Sequence, residues 1–131
     1  MSSEDLRPKG PPTIRVIAMP ADTNPAGDIF GGWLMSQMDL AAGTVAARRS
    51  RGRSSTIAVD GMKLHRPVRI GDEVSLYAEI EKVGRSSMRI HVEAWRRERH
   101  AEDTELVTEA TFTFVALDGD GRPRPVDSPP T

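Results

Sequence analysis

Two features of one segment could do chemistry: a glycine pair, Gly31-Gly32, and a carboxylate, Asp39. Around them Trp33, Leu34, Met38, Ala41, Ala42, Val45 and Ala46 recur at helical spacing, which predicts one long helix from about Phe30 to Arg49. The glycines fall in its first turn, where each costs about 1 kcal/mol relative to alanine. Without side chains they bare the free N–H groups of a helix N-terminus. Such donors carry about half a positive charge and can hold an anion or a developing oxyanion. The plainer reading is a flexible start, or close packing of helix on sheet. Asp39 lies beside the apolar stripe rather than opposite it, a position from which a carboxylate can act as a general base. The plainer reading there is a flank residue paired with an arginine such as Arg15 or Arg66.

Spacing links the two features. Gly32 and Asp39 are separated by about 10 Å along one helix, at 1.5 Å per residue. A base acting on a carbonyl held at the helix start must come within roughly 3–3.5 Å of the reacting atoms, or one water away. One helix cannot serve both ends of such a reaction. If both features are functional, the amides come from one chain and Asp39 from another, so the site requires a dimer.

The remaining elements read as strands. Ile14, Val16 and Ala18 alternate within Thr13 to Met19, and a turn-rich stretch from Pro20 to Asp28 leads into the helix, which Gly52 stops. Further strands are expected over Thr56 to Leu64, Val74 to Ile80, Met88 to Trp95 and Leu106 to Ala116, with a hairpin turn at Lys82 to Ser86. Short connections imply antiparallel pairing. The fold class expected is α+β: one long, apolar-striped helix on the concave face of a five-stranded antiparallel sheet. Seven of the ten prolines lie near the ends, so 1–12 is expected to be a flexible N-terminal segment, 13–118 the folded domain and 119–131 a flexible, proline-rich tail.

Composition removes several classes. There is no cysteine, which excludes a disulfide scaffold, a cysteine nucleophile and a cysteine-ligated metal. The 18 basic and 19 acidic residues leave no basic excess for nucleic acid. No apolar run approaches the roughly 18 residues that span a bilayer, and Glu4 and Asp5 with no apolar stretch after them speak against a secretory signal. No membrane partner and a cytoplasmic location are expected. His65, His91 and His100 form no metal-ligand spacing, and Asp118-Gly-Asp-Gly121 lacks the rest of a calcium loop, so no metal is expected. Gly-x-Ser-x-Gly is absent.

The 22 residues from Ala18 to Asp39 (AMPADTNPAGDIFGGWLMSQMD) closely resemble the signature of the hotdog-fold acyl-CoA thioesterases, in the small bacterial single-domain type related to cytosolic acyl-CoA hydrolases. The likeness continues through Val59 to Asp72, Val83 to Ser87 and Ala110 to Asp118. It implies a sheet-wrapped helix, a dimer with a continuous sheet commonly assembled as a trimer of dimers, and hydrolysis of acyl-CoA to free acid and CoA. It maps the family's aspartate to Asp39, as general base for water or as nucleophile. Its asparagine maps to Asn24, orienting water or the carbonyl across the dimer interface, although Asn24 before Pro25 also reads as a turn cap. The glycine pair maps to Gly31 and Gly32, donating backbone N–H to the carbonyl, and Ser36 to a polar role near the site. Coenzyme A enters as part of the substrate, with no other cofactor. Its phosphates call for basic groups and free amides, for which Arg53, Lys63, Arg66, Arg85, Ser86 and Ser87 are candidates. Phe30, Met35 and Met62 are candidates for lining an acyl tunnel. The alternative from another class is a hotdog module that binds or senses acyl-CoA without turnover. Nucleic-acid binding through Arg48 to Arg53 is disfavoured by the charge balance and the six aromatics. A dehydratase is disfavoured because no histidine lies in the expected turn or helix.

Overall fold

The computed structural model describes residues 10–129; residues 1–9 of the expected N-terminal segment and 130–131 of the expected tail lie outside the described residues. Alternating apolar side chains make strands β1 (Ile14–Ile17), β2 (Ser54–Asp60), β3 (Glu73–Val83), β4 (Ser87–Arg97) and β5 (Thr104–Ala116). A 3-10 turn (Pro20–Asp22) and helix α1 (Gly31–Ser50) lie between β1 and β2. Every pairing is antiparallel and the strand order is β1-β3-β4-β5-β2, which leaves β1 and β2 at the edges. This is the expected sheet, with α1 against one face.

The helix packs through the predicted stripe. Trp33, Leu34, Met38, Ala41, Ala42 and Ala46 are buried, and the alanines let its axis approach the sheet closely. They meet Val74 and Leu76 of β3, Met88, Ile90 and Val92 of β4, and Phe112 and Phe114 of β5 in one core. Several ends differ from the sequence reading, two of them for a clear physical reason. Strand β2 stops at Asp60 rather than Leu64, because Gly61 takes a left-handed conformation (φ 74°) that turns the chain out of the ladder. The helix is closed not by Gly52 but by Arg51, at φ 54°, whose N–H donates to the carbonyl of Ala47. A left-handed arginine costs about 1–2 kcal/mol.

That strained end has a cap from far along the chain. Arg124 is 5 % exposed, and its Nη2 donates to the Ser50 carbonyl at 2.7 Å. Its other nitrogens donate to the carbonyls of Leu117 (3.0 Å), Pro125 (3.2 Å) and Ser128 (3.0 Å). Val126, 2 % exposed, joins the core, and its N–H donates to the Arg85 carbonyl at 2.8 Å. The described part of the proline-rich stretch, 119–129, is therefore tied to the helix end and to the β3–β4 hairpin. Proline content reports the missing N–H donors but not this single buried guanidinium, which supplies the donors instead.

Candidate active site

Phe30, extended at φ −84° and ψ 151°, is the N-cap of α1, and among the described residues no side chain caps the helix; no acidic residue stands in its first turn. Trp33 N–H donates to the Phe30 carbonyl at 3.1 Å. Among the described residues the N–H groups of Gly31 and Gly32 have no hydrogen-bond partner, which leaves the positive end of a twenty-residue helix open. Close packing, the plainer reading of this pair, also holds: a Cβ on Gly31 would stand 3.1 Å from Leu64 Cδ1, and one on Gly32 would stand 3.2 Å from the Phe30 ring. The two readings are compatible, since the same missing side chains admit neighbours and bare the amides.

The loop leading to the helix is organised by Asn24. Its Oδ1 accepts from the N–H groups of Ala26 and Asp28, both at 3.0 Å, and its own N–H donates to the Asp28 carbonyl at 2.7 Å. The turn-cap reading is thus borne out for the side-chain oxygen. With that oxygen occupied, the Asn24 amide can act outward only as a donor through Nδ2, which has no partner among the described residues.

Asp39 is half-buried on α1, and neither suggested arginine reaches it. Arg15 pairs with Glu73 at 3.5 Å and Arg66 with Glu105 at 3.4 Å. The partner of Asp39 is Thr56 of β2, whose hydroxyl donates to Oδ1 at 2.5 Å. Thr56 reaches it because of a β-bulge. The register steps from Thr56 opposite Phe114 to Ala58 opposite Thr113, leaving Ile57 unpaired and 61 % exposed. In an unbroken strand Thr56 and Val59 would face opposite sides; the extra residue turns both inward, one to Asp39 and the other onto the core. Thr56 is a site residue the sequence reading missed, and no local signal marks a bulge in Ser-Ser-Thr-Ile-Ala. Asp39, Thr56, Leu40 and Gly43 line an open depression between α1 and the edge strand.

The other expected residues divide by location. Ser36 spends its hydroxyl proton inside the helix, donating to the Trp33 carbonyl at 2.6 Å. Arg53, Arg85, Ser86 and Ser87 gather at the C-terminal end of α1, where Leu117 N–H donates to the Arg53 carbonyl and Ala116 N–H to that of Ser86, both at 2.9 Å. Lys63 and Arg66 lie beyond β2 in the segment whose Leu64 touches Gly31, at the other end of a helix about 30 Å long. One chain therefore does not bring all six to a single CoA. Phe30 and Met35 are exposed, whereas Met62 packs against the core. Between helix and sheet the space is filled by Leu34, Met38, Leu76 and Phe112, and the crevice beside Phe30 and Leu64 holds ≈ 40 Å³, room for about one water. No helix of the described residues is long and apolar enough to cross a membrane.

Comparison with known proteins fits this architecture. The thioesterase superfamily profile matches residues 26–102. The chain is 57% identical over 122 residues to an uncharacterized acyl-CoA thioester hydrolase of Zymomonas mobilis, covering 93% of this chain and 82% of that one. It is 46% identical over 129 residues to the acyl-CoA thioester hydrolase YciA of Salmonella typhimurium, covering 96% and 97%. A hexameric hotdog fold thioesterase of Campylobacter jejuni superposes with a TM-score of 0.83 at 39% identity, over 91% of this chain and 92% of that one. The match runs over most of this chain and of each relative, in sequence and in fold, and the chain belongs to the thioesterase superfamily, among its hotdog-fold acyl-CoA thioester hydrolases.

Proposed function

We propose that the protein hydrolyses acyl-CoA thioesters to a free carboxylic acid and CoA, at a site shared by two copies of the chain. One observation carries the reading: the open amides of Gly31 and Gly32 and the Thr56-held carboxylate of Asp39 lie on the same helix, about 10 Å apart, too far to meet on one carbonyl. A second protomer running the other way supplies the missing half to each site. The N–H groups of the glycine turn polarise the thioester carbonyl. Asp39 of the other protomer takes a proton from water as its oxygen attacks the carbonyl carbon. The tetrahedral oxyanion draws on donors already aimed at it, with no reorganisation to make at the moment of reaction. Collapse breaks the carbon–sulfur bond and releases the CoA thiolate, a leaving group that needs no strong acid beside it. Asn24, able to act outward only through Nδ2, donates to the carbonyl or to the water.

The surface supports a two-chain site. Among the described residues strand β2 pairs on one side only, with β5, so its other edge can take a second β2 and continue the sheet. Ile57 on that edge and Leu40 on the adjoining helix face, 58 % exposed, are apolar groups that a partner covers. In this reading three such dimers associate, and the hexameric state of the Campylobacter jejuni relative supports an assembly of that size. In a dimer Arg53 and Arg85 of one chain and Lys63 and Arg66 of the other are available to the CoA phosphates, with Phe30 and Met35 against the acyl chain.

Thiol release from a panel of short to long acyl-CoAs tests the proposal. Native protein turns over, and Asp39→Ala loses kcat far more than binding, because the carboxylate acts mainly in the transition state. Mixing Asp39→Ala chains with Gly32→Pro chains restores part of the activity, since each mixed dimer rebuilds one intact site. Equal turnover of native and Asp39→Ala protein, or no rescue in any mixture, contradicts the shared site.

A further inference from the structure

The sheet face turned away from α1 carries a second group of ionisable side chains, with no part in the proposed hydrolysis. His91 and Glu93 of β4 and Glu109 of β5 converge there, each half-buried, with one ligand atom apiece all within 4.8 Å of one another. The register forces the meeting. Glu93 stands directly opposite Glu109, and His91 directly opposite Glu79 and Thr111. Two carboxylates placed directly across a ladder repel each other and cost stability. Among the described residues no lysine or arginine pairs with Glu81, Glu93 or Glu109; their ion-pair contacts are all to His91. A single imidazolium offsets one of these charges, whereas a divalent cation offsets two.

The distances leave room for a cation. His91 Nε2 lies 3.4 Å from Glu93 Oε2 and 3.4 Å from Glu109 Oε1. Those gaps are longer than the roughly 2.7–3.2 Å of an N–H···O hydrogen bond. They match the edge of a tetrahedron with metal–ligand bonds of about 2.1 Å, which is about 3.4 Å. Two neighbours hold the ligands in place from behind. The indole N–H of Trp95, a side chain buried outside the main core, donates to Glu93 Oε1 at 2.9 Å and leaves Oε2 turned to the histidine. On the far side of the ring Glu81 Oε1 stands 3.6 Å from His91 Nδ1, where it favours the tautomer with the proton on Nδ1 and the lone pair on Nε2.

We propose that His91 Nε2, Glu93 Oε2 and Glu109 Oε1 bind a divalent ion of the Zn²⁺ class, with water in the fourth position on the solvent side. One imidazole and two carboxylates suit Zn²⁺ over the harder Mg²⁺ and Ca²⁺, which take oxygen ligands alone. The ion clips β4 to β5 and serves stability; it lies across the sheet from Asp39.

Chelator-stripped full-length protein is titrated with Zn²⁺ near neutral pH by calorimetry, with Tm followed in parallel, and with Co²⁺ by visible absorption. Native protein takes up one Zn²⁺ per chain and melts higher with it, and Co²⁺ gives the intense bands of four-coordination. His91→Ala and Glu109→Gln lose the saturable uptake and the Tm rise. Trp95→Phe, checked for native circular dichroism, weakens binding about tenfold. His65→Ala and His100→Ala bind as the native protein does. The proposal is overturned by absence of saturable uptake in the native protein, by undiminished uptake in His91→Ala, or by a weak, six-coordinate Co²⁺ spectrum.

Discussion

Replacing Thr56 by valine removes one hydroxyl and keeps a β-branched side chain of nearly the same volume on a strand. What is lost is the 2.5 Å hydrogen bond to Asp39 Oδ1. A hydrogen bond to a charged group contributes roughly 1.5–3 kcal/mol. Both partners are half-buried, so water replaces part of the interaction and the lower end applies. If that bond aims the carboxylate at the attacking water, about 1.4 kcal/mol lost from transition-state stabilisation slows kcat about tenfold. KM should stay within about twofold, since the carboxylate contributes mainly after the substrate is bound. Thiol release at saturating acyl-CoA reads the effect, and Thr56→Ser, which keeps the donor, should recover most of the rate. Matching thermal melts of the three proteins separate aim from folding. A Thr56→Val protein with native kcat, beside an inactive Asp39→Ala, would refute the positioning role and leave Thr56 a packing residue.

Other perturbations test other parts of the structure. Arg124→Met strands the Ser50 carbonyl and its neighbours inside the protein, so unfolding in urea should show a loss of roughly 3 kcal/mol; Arg124→Lys should not rescue it, lacking the planar fork. Phe112→Ala empties the centre of the core and should cost about 3–5 kcal/mol by the same assay. Single turnover in ¹⁸O-water should place the label directly in the released acid; label in the Asp39 carboxyl would mean direct attack by that residue instead. Ile57→Lys puts a charge at the exposed bulge of the edge strand and should lower the assembled mass in sedimentation, with a parallel fall in activity.

What could be read along the chain was whatever is periodic or covalent. The stripe from Trp33 to Ala46 makes a helix in any context that offers it an apolar surface, and the alternation in 74–80, 88–94 and 106–116 makes half-buried strands. The interval between Gly32 and Asp39 is likewise local, because helical rise per residue is fixed by the backbone, so the argument for the proposed two-chain site was legible before any fold was known. The contacts that the tertiary structure alone decided join residues distant in sequence. Thr56 meets Asp39 through an unpaired Ile57, Arg124 closes a helix that ended 74 residues earlier, and Glu93 faces Glu109 through the register of β4 on β5. Register and bulge are chosen by which side chains fill the core, and a shift of one residue would turn every polar group on these strands to the other face. The amino acids on each strand set which chemistry is present; the packing of Phe112, Phe114 and their neighbours against α1 sets where it points.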